Sequence, residues 1–152
     1  MKNWKRWLKR GAITASGLAV AYAVVSILAI LINNSVWAEA KMDITMLFAD
    51  SQCIAEYGGE KLLLCDRTTN SIFKFLQSGE IMDREMPQGG EEMRLTLEDG
   101  SVTVTDAGER AAYLTIQRGG KTEVYHVRLQ FSFESFVRVF NGSAGENFPV
   151  SE

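Results

Sequence analysis

Histidine, proline and cysteine are scarce in this chain, with one, two and two copies among 152 residues. The lone histidine, His126, lies in the alternating run Glu123 to Val127 with no orienting pattern around it. A catalytic pair of Ser or Cys with His would rest on it alone, so a half-exposed strand histidine is expected. No CxxC and no Cys/His cluster occurs, so a structural zinc site has no ligands, and neither metal nor cofactor is expected. Acidic residues are missing before Glu39, a region whose only charges are Lys2, Lys5, Arg6, Lys9 and Arg10. From Gly11 to Ile32, a run of 22 residues, there is no charge of either sign.

A helix over residues 11–32 would rise about 33 Å at roughly 1.5 Å per residue, enough for a hydrocarbon core of about 30 Å. It reads as one membrane span. The basic residues ahead of it place segment 1–10 in the cytoplasm and everything after a 33–40 linker outside. Trp4 and Trp7 on one side and Trp37 on the other are expected at the two membrane interfaces. Ala38-Glu39-Ala40 would suit signal peptidase, but the apolar run exceeds the roughly 7 to 15 residues of a signal peptide, so an uncleaved anchor is expected over a cleaved leader.

Lys9-Arg10-Gly11 before an apolar helix resembles the start of type IV prepilins and pseudopilins. That resemblance covers the helix alone. Ala12 and Ser16 stand where the family has Phe or Met and a Glu.

About 110 residues remain outside the membrane, enough for one small core. All 19 acidic residues but only 11 of the 16 basic ones fall there, a net charge of about −8. Such a surface disfavours nucleic acid, whose phosphates need basic contacts.

From Lys41 the apolar period changes to two: Met93, Leu95 and Leu97 alternate with polar residues, as do Val102 and Val104. Gly58-Gly59, Ser78-Gly79, Gly89-Gly90, Asp99-Gly100, Gly119-Gly120 and Asn141-Gly142 punctuate the runs. An all-β, antiparallel domain over 41–142 is expected, followed by a flexible tail over 143–152. A shift of 40 places Leu62 to Asp66 over Val102 to Asp106, Phe73 over Tyr113, Gln77 over Gln117 and Gly79 over Gly119. A repeat of about 40 residues built from short strands suits a propeller blade.

The run Leu63-Leu64-Cys65-Asp66-Arg67-Thr68-Thr69-Asn70-Ser71-Ile72-Phe73-Lys74-Phe75, then Ser78-Gly79, resembles an NHL-type β-propeller repeat. The second copy, Val104 to Arg110, keeps the Asp and loses the Asn and the Phe-x-Phe. The resemblance implies blade-like hairpins and a binding role toward proteins, RNA or small molecules. Two copies make no closed ring, so a compact single β domain and a truncated propeller both stay open.

Asp66 and Asp106 recur at equivalent positions, where Asx turns are the expectation over ligand binding. No carboxylate pair has a spacing that implies acid/base work, and an enzyme is not expected. Phe131, Phe133, Phe136 and Phe140 should be mostly core, with any exposed remainder suiting a protein partner or a second copy. Cys53 and Cys65 would oppose each other across a hairpin with a three-residue Gly58-Gly59-Glu60 loop, close enough for a disulfide; two thiols are the alternative. The function that fits is a single-pass, membrane-anchored extracytoplasmic β domain that binds an envelope protein or cell-surface ligand. A minor pilin or pseudopilin subunit of a filament, secretion or DNA-uptake system is the second reading.

Overall fold

The computed structural model describes the backbone of residues 2–49, 51–83, 89–142 and 148–149, and the side chains of residues 18–49, 51–82 and 89–142. A first helix, α1, spans Lys2–Phe48, and the chain divides into two compact units, Met1–Val36 and Trp37–Glu152. In the first unit Leu18, Val24, Leu28 and Leu31 are each at least half exposed. One helix near the N-terminus is thus long and apolar enough to span a membrane. The side chains of Trp4 and Trp7 lie outside the described residues.

The second unit opens on the last turns of α1. Trp37, Ala40, Ile44 and Leu47, three or four residues apart, are all buried and form one helical stripe. This corrects two expectations, a linker over 33–40 and strands from Lys41. Met42, Ile44, Met46 and Phe48 do alternate in sequence, but Met42 and Met46 are 58% and 44% exposed while Ile44 and Leu47 are fully covered. The period of burial is helical, and no glycine or proline interrupts it.

Beyond α1 come β1 (Ile54–Tyr57), β2 (Glu60–Leu63), α2 (Asp66–Gln77), β3 (Glu80–Asp83), β4 (Glu92–Leu97), β5 (Gly100–Asp106), β6 (Ala111–Arg118), β7 (Lys121–Arg128), α3 (Phe133–Gly142) and β8 (Phe148–Pro149). The strands form one antiparallel sheet in the order β3-β7-β6-β5-β4-β1-β2-β8. The short β8 pairs with β2 inside the tail, where no strand was expected. Gly58-Gly59 and Gly119-Gly120 close two-residue hairpins with positive φ, at turn positions the sequence pattern marks, though at Gly58-Gly59 the loop is one residue shorter than expected. At Gly100 a side chain would run into the Gln117 carbonyl of the neighbouring strand, so only glycine fits.

Three connections join strands that are not neighbours in the sheet, β2 to β3, β3 to β4 and β7 to β8, and the first and last of them carry a helix. From β2 the chain passes through α2 to β3 at the far edge, and from β7 it returns through α3 to β8 beside β2. In α2, Thr68, Ile72 and Leu76 are buried at intervals of four, and Asp66 in the first turn favours the positive end of the helix dipole. In α3, Phe133, Phe136 and Phe140 form the buried stripe. The end of α1 joins this layer: Phe48 packs against Phe73, and the Gln77 amide donates to the Lys41 carbonyl. The sheet presents Met93, Leu95, Val102, Val104, Leu114, Tyr125 and Val127 to the core, register neighbours on one face. Its other face carries exposed Glu92, Arg94 and Thr96, with Tyr113 stacked on a half-buried His126 at 4.6 Å.

The expectation of an all-β domain is therefore corrected by two helices. The two copies of the repeat also take different structures: Phe73 lies in α2 and Tyr113, its counterpart, in β6. The described residues form a single sheet with helices on its covered face and no ring of blades.

Candidate functional site: a groove along the third helix

Helix α3 starts where Ser132 accepts a backbone bond from Ser135 at 2.9 Å, and Glu134 sits in its first turn. Its phenylalanine stripe points into the unit. The flank beside that stripe carries Glu134, Val137, Arg138 and Asn141, again three and four residues apart. Opposite them Tyr57 ends β1. Its ring meets Phe133 and Phe140 edge-on, with centroids 6.1 Å and 5.8 Å away. Glu91 just before β4 and Asp106 at the end of β5 complete a groove of about 680 Å³.

The groove is amphipathic. Phe133 and Val137 supply apolar wall, while Glu91, Asp106 and Glu134 set three carboxylates against the single guanidinium of Arg138. Tyr57 Oη donates to Glu91 Oε2 at 2.7 Å. That bond, then desolvation, then repulsion by the Glu91 charge all favour the protonated phenol and hold the Tyr57 hydroxyl above its ordinary value. Asp106 accepts from the Gly108 amide at 3.1 Å, the Asx turn its position suggests.

The aromatic segment is placed differently from the sequence expectation. Phe136 and Phe140 are core on a helix, and Phe133 is 6% exposed at the groove wall. Phe131 is 39% exposed and stacks on Phe75 at 4.3 Å, so it contributes no groove surface. Tyr57, Glu134, Val137 and Arg138 carry no site expectation from the sequence, and Asn141, expected with Gly142 in a turn, lies at the end of α3. The signal that finds them is the spacing Phe133, Phe136, Val137, Phe140, which is a helical face with a flank on either side.

Trp37 is a core residue of its unit. Its indole is 7% exposed, donates to the Gly79 carbonyl at 2.7 Å and meets Tyr125 edge-on at 6.1 Å. The Lys41 ammonium lies 5.5 Å over its ring. An amphipathic ring with a polar tip suits an interface in sequence terms, but here the tip is satisfied by a backbone carbonyl inside the core.

Cys53 and Cys65 are not bridged. The hairpin loop holds two residues, so Tyr57 pairs with Glu60 and Ile54 with Leu63. Cys53 thereby faces Leu64, whose amide donates to the Cys53 carbonyl at 2.9 Å. The pairing is one residue away from the one a disulfide needs. Cys65 instead occupies the N-cap position of α2 without a side-chain cap bond, and its Sγ lies 3.3 Å from Thr68 Oγ1.

Comparison of the chain with family models, with curated proteins and with solved structures finds no match.

Proposed function

We propose that this chain is a single-pass, membrane-anchored module whose β domain lies outside the cytoplasm and acts by binding, with no chemistry of its own. The basic amino end before an uncharged run supports the orientation. The observation that carries the binding role is the groove of about 680 Å³ between α3 and Tyr57, concave, with apolar walls and a few convergent polar groups. Its occupant is a segment of another envelope protein. A photo-reactive phenylalanine analogue placed at Val137 in intact cells should label one partner strongly. The same analogue at Thr122, exposed on β7, should not. Equal labelling from both positions, or none from Val137, would remove the groove from this role. The orientation is checked separately with a reporter enzyme fused after Glu152 that is active only outside the cytoplasm.

The second reading, a pilin-like structural subunit, is favoured by the continuity of α1 over 47 residues, its last turns buried against a sheet. Mass spectrometry of the mature amino end separates the two. Cleavage after Gly11 supports the filament subunit, and retention of the basic segment supports the anchored module.

A further inference from the structure

Resting on the reading of the α3 groove as a binding site, we infer that it recognises a cationic side chain, an arginine or lysine presented by the partner segment. The groove and such a side chain are both amphipathic, and their shapes match. Arginine and lysine combine an aliphatic stem with a charged head, and bury the stem along apolar surface while the head seeks charge. Phe133 and Val137 offer the stem its wall, and Glu91, Asp106 and Glu134 surround the place where the head would come to rest.

Each carboxylate retains acceptor capacity. Glu91 takes one bond from Tyr57 and Asp106 one from the Gly108 amide, while an ionised carboxylate accepts about four. Glu134 is exposed on α3, and among the described residues neither it nor Arg138 takes part in a salt bridge. The Tyr57 ring, fixed edge-on by Phe133 and Phe140, is the aromatic surface beside which a cation is favoured. Arg138 then discriminates by repelling a second cation and offering its fork to a carboxylate or carbonyl next to the bound residue. The domain's excess of acidic residues adds a long-range field of the same sign.

The test uses the full chain, nitrogen-15 labelled, in uncharged maltoside micelles, titrated with acetyl-Gly-Arg-Gly-amide. Its neutral isostere with citrulline and its counterpart with glutamate serve as comparisons. The arginine peptide should give saturable amide shifts at Tyr57, Glu91, Val137 and Asn141, and the citrulline peptide should bind about tenfold more weakly. Glu134→Gln, at an exposed helical position, should weaken arginine binding several-fold with amide dispersion unchanged. Added salt should weaken it further.

Equal shifts from arginine and citrulline, a preference for glutamate, or no saturable shift from arginine would each overturn the inference. The Val137 labelling separates this failure from failure of the groove itself. Specific labelling with no arginine preference leaves a binding groove of different chemistry, and loss of both removes the site.

Discussion

At the scale of single residues, the chemistry of Cys53 follows from its burial, which pushes the thiol up from 9.0 to about 12. Between those values the unfolded chain has released a proton that the folded chain keeps, so the unfolded state gains as pH rises. Stability from this group is full below pH 9.0 and is lost through about pH 12. The slope is about 1.4 kcal/mol per pH unit. Urea unfolding of the full chain in micelles should therefore show a shallower alkaline decline for Cys53→Ala than for the unchanged protein. Parallel declines would mean that Cys53 is ionised in the folded state. Two thiols should also be counted in unfolded protein without reductant, since the Gly58-Gly59 turn sets Cys53 against Leu64. The composition of that turn was legible in the sequence, while its length was not. Gly58-Gly59 and Gly58-Gly59-Glu60 both read as hairpin loops, and the one-residue difference decides which side chains oppose. Trp37 shows the same ambiguity, because an indole beside an apolar helix suits an interface or a core carbonyl equally. Trp37→Phe keeps an aromatic ring, though a smaller one, and leaves the Gly79 carbonyl without its donor, which should cost at least about 1 to 3 kcal/mol in the same unfolding assay.

At the scale of elements, the strands were largely readable and two helices were not. β4 buries every second residue because one face of the sheet is covered and the other open, and that alternation is visible as Met93, Leu95 and Leu97. In α2 the set Ile72, Phe73, Phe75 and Leu76 fits a helix by spacing. Read as residues of high strand propensity bounded by Ser78-Gly79, the same set fits a blade strand. Burial decides: Thr68, Ile72 and Leu76 recur every four residues and are covered, while Phe73 and Phe75 are half-buried flanks. The groove was hidden for the same reason, since its α3 wall exists only if residues 133–142 are helical. Phe136 is fully buried and lies edge-on to Phe75 at 5.3 Å, so Phe136→Ala should cost about 3 to 5 kcal/mol. Phe131→Ala, at a 39% exposed position, should cost much less. Similar losses at both positions in a denaturant series would put residues 131–140 back in an extended strand. Circular dichroism of the full chain should likewise show more helix than α1 alone supplies.

At the scale of the whole chain, the boundary between the units matters more than either unit's composition. In the sequence, the change of apolar period points to a domain start at Lys41. The second unit instead begins at Trp37, and Trp37, Ala40, Ile44 and Leu47 belong to its core. A cut after Ala40 would remove a buried indole together with its bond to Gly79, and would leave Ile44 and Leu47 on a helix of two turns. Helices that short are marginal in water, so the stripe would lose its own support as well as its first two members. Cleavage at that site would therefore cost the second unit part of its core. The measurement is a pair of truncations compared by amide dispersion and urea unfolding. A chain beginning at Asn34 should give dispersed spectra and a cooperative transition. One beginning at Lys41 should unfold at markedly lower urea, by the about 3 to 5 kcal/mol of a lost buried aromatic, or fail to fold. Equal stability of the two would show that residues 34–40 are dispensable to the core.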